Sequence, residues 1–141
     1  MSAASNYLEG KLLDHVLTAT AYSQPAGRFL ALFTNTSTNA AANLESGVTA
    51  TDEISTSGTA YIRKAVTFAA ASSGTSATNA TVTFDAATAN WGTITHIAIM
   101  DSVNSGGSNN VLFYGAVTTS KTIETGDTFQ VSSGNLTVSL A

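Results

Sequence analysis

Residues 90–117 constrain the fold more than any other stretch. Two apolar runs, Ile94 to Asp101 and Val111 to Val117, flank a loop through Ser105-Gly106-Gly107-Ser108-Asn109-Asn110, and Trp91-Gly92-Thr93 leads in. β-Branched and aromatic runs separated by Gly, Ser and Asn specify paired antiparallel strands. Neither run alternates cleanly. On a strict period of two, Ile97 and Ile99 share one face with Asp101, while Ile94, His96, Ala98 and Met100 take the other. Val111, Phe113 and Val117 likewise oppose Leu112, Tyr114 and Ala116. Strands apolar on both sides are covered on both sides. The hairpin is therefore expected at the centre of the fold, one face in the core and the other under a helix, a loop or a second subunit.

Asn6 to Leu17 has helical spacing, with Leu8, Leu12, Leu13, Val16 and Leu17 in one stripe, and Asn6 with Glu9 resembles a capping box. This helix is the expected cover for one face of the hairpin, which would place it beside His96. Thr18, Thr20 and the single proline, Pro25, end it, and Arg28 to Thr34 reads as a buried strand. Residues 35–58 show no sustained period and read as a long loop; loops of that length are commonly functional. Further strands are expected over Tyr61 to Phe68, Ala80 to Asp85 (Val82 and Phe84 inward, Thr81 and Thr83 outward), Thr128 to Val131 and Asn135 to Leu140, with Lys121 to Glu124 extended. The sum is one mainly β domain over residues 1–141, an antiparallel β-sandwich or jelly roll of about seven or eight strands with one N-terminal α-helix. The expected core comprises Leu12, Val16, Phe33, Phe68, Phe84, Trp91, Ile97, Ile99, Phe113 and Val138.

Composition excludes several functions. Charged residues make up 10% of the 141, against roughly a quarter in an ordinary domain. A surface polar without being charged is weakly protected against association, which suits life in an assembly. The net charge of -4 and five scattered basic residues argue against nucleic acid. With no cysteine there is neither a disulfide nor a thiolate metal site. No signal-like N-terminus and no apolar run near roughly 18 residues appear, so no membrane contact is expected and synthesis is expected in the cytoplasm.

No catalytic motif stands out. His15 and His96, the only histidines, would need to converge with Asp14, Asp101 or Asp127 to do chemistry, and read instead as structural. No cofactor, metal or catalytic residue is expected. Trp91 before Gly92 suits a core plug better than a sugar platform. The Asn-x-Ser/Thr triplets at Asn35, Asn79 and Asn135 read as chance matches in an Asn- and Thr-rich chain.

Several segments together resemble the small virion proteins of tailed bacteriophages known as tail fibre proteins, which also resemble capsid cement or decoration proteins of jelly-roll fold. They are Asn6-Tyr7-Leu8-Glu9, Leu12-Leu13-Asp14-His15-Val16-Leu17, Ala31-Leu32-Phe33-Thr34, Glu53-Ile54-Ser55 with Gly58, Tyr61 to Phe68, Trp91 to His96, Leu112 to Val117 and Thr125-Gly126-Asp127. The stretch 35–52 is longer and richer in Thr and Asn than that pattern. The resemblance implies a non-enzymatic structural protein of the virion. The first expectation is a cement protein on the outer capsid surface, a dimer or trimer clamping the major capsid protein, because fibres usually need long repetitive shafts. The alternative is a tail fibre or tail-tip module that binds a receptor or carbohydrate. Candidate partner contacts are Asn35, Thr36, Asn39, Leu44, Val48, Ile54, Ser105 and Asn109.

Overall fold

The computed structural model describes residues 3–35, 40–46, 52–103 and 109–140. Among these residues nine strands and two helices follow in the order β1 (Ala3–Ala4), α1 (Asn6–Leu17), β2 (Phe29–Phe33), α2 (Ala40–Glu45), β3 (Lys64–Ala65), β4 (Thr75–Ala77), β5 (Val82–Thr83), β6 (Gly92–Met100), β7 (Val111–Ile123), β8 (Gln130–Val131) and β9 (Thr137–Ser139). The architecture is the expected antiparallel β-sandwich, without a closed barrel. A five-stranded sheet ordered β1-β7-β6-β2-β3 forms one layer, and the pairs β4-β9 and β5-β8 form the other. The hairpin β6-β7 is central, and the segment expected to follow it joins β7 as one 13-residue strand.

The main core lies between the layers. Leu30, Leu32, Ile94, Ile99 and Leu112 from the sheet meet Val82, Phe84, Phe129 and Leu136 from the other layer. Val82 and Phe84 are buried while Thr81 and Thr83 are exposed, as the alternation requires. Aromatic rings close one end. Tyr61 stacks on Phe84 at 5.9 Å, and Trp91 meets both edge-on, at 5.5 Å from Tyr61 and 6.2 Å from Phe84. Such pairs add about 0.5–1.5 kcal/mol each beyond burial.

The sheet's opposite face has its own cluster of Ala31, Phe33, Ala98, Met100 and Val111, and Leu44 of α2 is fully buried on it. The cover for this second face is thus α2, within the stretch read as an unbroken loop. Six residues with Ala40 and Leu44 four apart make one helical turn with one apolar side, too short to register as a period in sequence.

Strict alternation places Ile94 with Ala98 and Met100, but Ile94 packs in the main core. The cause is a β-bulge. Pairing jumps from Ile94↔Lys121 to His96↔Ala116, so Thr95 on one strand faces four residues, 117–120, on the other. The bulge moves Ile94 to the opposite face. A second shift between Ile99↔Phe113 and Met100↔Val111 leaves Leu112 as the extra residue, so Leu112 and Phe113 both contribute to the main core.

Helix α1 also departs from expectation. Its N-cap is Ser5 rather than Asn6, accepting from Leu8 N at 3.2 Å. Ser5 is fully buried, donates its hydroxyl to Val111 O, and its N–H reaches Leu112 O at 3.0 Å. Only Leu8 of α1 is buried. Leu12 is half-buried, whereas Leu13, Val16 and Leu17 are 58%, 75% and 74% exposed, so Val16 stands outside the core in which the stripe placed it. The helix is anchored by its first turn and does not cover the hairpin.

Candidate functional site

An open cleft of about 700 Å³ lies where β2 ends and β6 begins. Its walls come from Thr34 and Asn35 after β2, from residues 52–55 and Thr59, and from residues 90–93 with Thr95. Three local features build it. Glu53 bridges antiparallel to Phe33, with Thr34 N to Asp52 O at 2.9 Å and Ile54 N to Leu32 O at 3.2 Å, so 52–54 extends the free end of β2. Gly92 has φ 84°, a conformation that favours glycine, and an added Cβ would stand 3.6 Å from Thr34 Cγ2. Trp91 is 5% exposed, its Nε1 donating to Thr59 O at 2.8 Å and its N–H to Ile123 O at 2.9 Å. The indole therefore forms the cleft's floor and cannot present a ring face to solvent.

Walls that are more apolar than polar carry the hydroxyls of Thr34, Ser55, Thr93 and Thr95, while the Thr59 hydroxyl, also on the lining, is spent on Ser55 O. Thr93 Oγ1 lies 2.8 Å from Thr122 Oγ1, and Asn90 Oδ1 accepts from Thr125 N at 2.9 Å, which fixes the rim. Of the two carboxylates, Glu53 is fully committed. Arg63 donates Nε to its Oε1 at 2.7 Å and Nη2 to its Oε2 at 2.6 Å, and Tyr61 Oη donates to Oε1 at 3.0 Å. Burial and the Glu53 charge push the Tyr61 phenol far above its ordinary pKa, and its oxygen accepts from Leu32 N at 3.0 Å. Asp52 is itself buried.

His96 and His15 do not form a site together. The Nδ1 of His96 lies 2.9 Å from Thr95 Oγ1, a contact between successive residues created by the bulge. Burial lowers the His96 pKa, and the Asp52 charge partly opposes this. His15 accepts instead from Tyr22 N at 3.1 Å on exposed α1. Among the described residues no cluster of His, Asp and Glu could hold a metal ion. No described helix is long and apolar enough to cross a membrane.

The sequence-derived contact residues separate into three groups. Leu44, Ile54 and Asn109 are buried, Asn109 accepting from Arg63 Nη1 at 3.0 Å; their side chains belong to the interior. Asn35 is exposed on the cleft rim and accepts from Ala40 N at 3.3 Å. Thr36, Asn39, Val48 and Ser105 lie outside the described residues. Of the expected core, Phe33, Phe84, Trp91 and Ile99 are buried; Phe68, Ile97, Phe113 and Val138 are half-buried against the main cluster. Sequence reasoning missed the Arg63–Glu53 pair. Its only signal was an arginine and a glutamate ten positions apart, which no local period connects.

A family described as Podophage GP4 fiber I protein gp80 matches residues 3–139. The chain belongs to this family. No curated protein matches the chain. The fibre family's match spans every strand and both helices described above, so it concerns the sandwich as a whole. Membership makes the chain a structural protein of a phage virion, and it is to a fibre protein, not to a capsid cement protein, that the family description refers.

Proposed function

We propose that the chain is a non-enzymatic component of a phage fibre that holds a glycan of the host surface in the cleft between Thr34, Asp52 and Thr93. The family match supports the fibre part and moves the weight from the capsid shell, first expected from the resemblance, to the alternative expected beside it. The observation that carries the ligand class is the chemistry of the walls. Four hydroxyls and an Asn rim offer donors and acceptors to a polyhydroxylated ligand. The Asp52 carboxylate disfavours an anionic one, the Glu53 charge being matched by Arg63. A sugar also tolerates a cleft whose floor is an indole edge already fixed by its own hydrogen bond.

Titration of the purified protein with host surface polysaccharide tests this. Binding should be lost with Thr93→Trp, which fills the cleft from an exposed position, while the thermal transition stays within a few degrees of the parent. Polysaccharide binding unchanged by Thr93→Trp, or no binding by the parent, would overturn the glycan reading.

A further inference from the structure

Six large hydrophobic side chains are exposed among the described residues, and four of them lie on two surfaces. Leu13, Val16 and Leu17 stand on the outer side of α1; Leu140 edges an apolar groove. The groove, about 230 Å³, is walled by Phe68, Leu112, Phe113, Val138 and Leu140, with Arg28 at its margin. The groove carries Arg28, and the helix surface carries Asp14 with Glu9 one turn before Leu13; among the described residues the ion pairs are Arg63–Glu53 and Lys64–Asp85, and none of these three takes part. Asp14 adjoins Leu17 on the helix surface, three positions away.

We infer that α1 of one copy docks in the groove of a second copy, with Leu13 and Leu17 entering the apolar walls and Asp14 meeting Arg28. Charge complementarity selects the occupant: an acidic, apolar-faced helix fits a groove with a single guanidinium, and the chain carries such a helix. Gly10 fits the same reading. It lies three positions before Leu13 and seven before Leu17, hence on their face, and nothing lies within 4 Å of an added Cβ. The fold itself therefore gives no reason for a glycine that weakens the helix, whereas a close second backbone does. Knob and groove are different surfaces, so the contact is heterologous and joins copies head to tail into a ring or a filament. The inference does not depend on the glycan reading, since the cleft shares no residue with either surface.

Sedimentation velocity of the full chain over a concentration series at low salt tests it. The parent should self-associate. Asp14→Arg and Arg28→Asp should each weaken association on the order of tenfold or more, as expected for charge reversal in a contact. An equimolar mixture of the two variants should regain parent-like assembly by alternation, because Asp14 of one variant meets Arg28 of the other and the two reversed charges complement each other at the next contact. Leu17→Ser, at an exposed position that leaves folding intact, should also dissociate the assembly. A parent that stays monomeric, single-charge variants that associate like the parent, or a mixture that fails to pair would each overturn the inference. So would a Leu17→Ser variant that assembles normally.

Discussion

The guanidinium of Arg63 grips the Glu53 carboxylate edge to edge, at 2.6 and 2.7 Å, with side chains 0% and 6% exposed. Nη1 of Arg63 donates to Ser102 O at 2.9 Å and to Asn109 Oδ1 at 3.0 Å. One ion pair thus ties the cleft wall at 52–54 to both ends of the β6-β7 connection. Removing one partner strands a buried charge. Glu53→Gln or Arg63→Met alone should therefore lower unfolding free energy by about 3–5 kcal/mol, and a double replacement by apolar residues should recover much of that. Urea unfolding of the three variants measures the difference.

The aromatic end of the core should be similarly sensitive. Trp91→Ala removes the contacts with Tyr61 and Phe84 and the bond to Thr59 O, and should cost about 3–5 kcal/mol. The parent's tryptophan emission should be blue-shifted, and it should be little quenched by iodide, since the indole is buried. Strong quenching in the folded state would contradict the floor position.

Helix α1 should divide at its middle. Leu8→Ala, at the single buried position, should cost about 2–5 kcal/mol. Val16→Ala, at a 75% exposed one, should change monomer stability by no more than about 0.5 kcal/mol. Gly10→Ala should raise monomer stability by roughly 0.5–1 kcal/mol, because nothing obstructs the added methyl. Thermal unfolding at dilute concentration checks all three.

Stability should fall at both pH extremes for identifiable reasons. Burial depresses the His96 pKa below 6.5, so the unfolded chain takes up the proton first. The contribution present above pH 6.5 is lost as pH falls through 6.5 toward the folded value, and His96→Gln should flatten that limb. The Tyr61 phenol is shifted the other way. Its contribution is complete below 10.0 and declines as pH rises above it, because the unfolded chain releases the proton first. Tyr61→Phe should reduce the alkaline limb and, by leaving Leu32 N without its acceptor, lower stability at neutral pH by about 1–3 kcal/mol. Denaturant midpoints from pH 4 to pH 11 would show both limbs.

Local pattern alone determined the central hairpin, the span of α1 and the inward set Val82 and Phe84, because each depends on residues a few positions apart. It also reached the class of the protein, through the ordered segments from Asn6 to Asp127. Tertiary structure decided the rest. Thr95 shows no sign of a bulge until β7 pairs with β6, yet that bulge assigns Ile94 to a face. A helical stripe states which side of α1 is apolar but not what it will meet, and only the fold left Leu13, Val16 and Leu17 outside. Leu44 looked like a loop contact because one turn of helix carries no visible period. Arg63 gave no sign of burial in the sequence because its partners, Glu53, Ser102 and Asn109, are brought together only by the folded chain. Burial of a charge is a property of the assembled neighbourhood, and no spacing along the sequence encodes it.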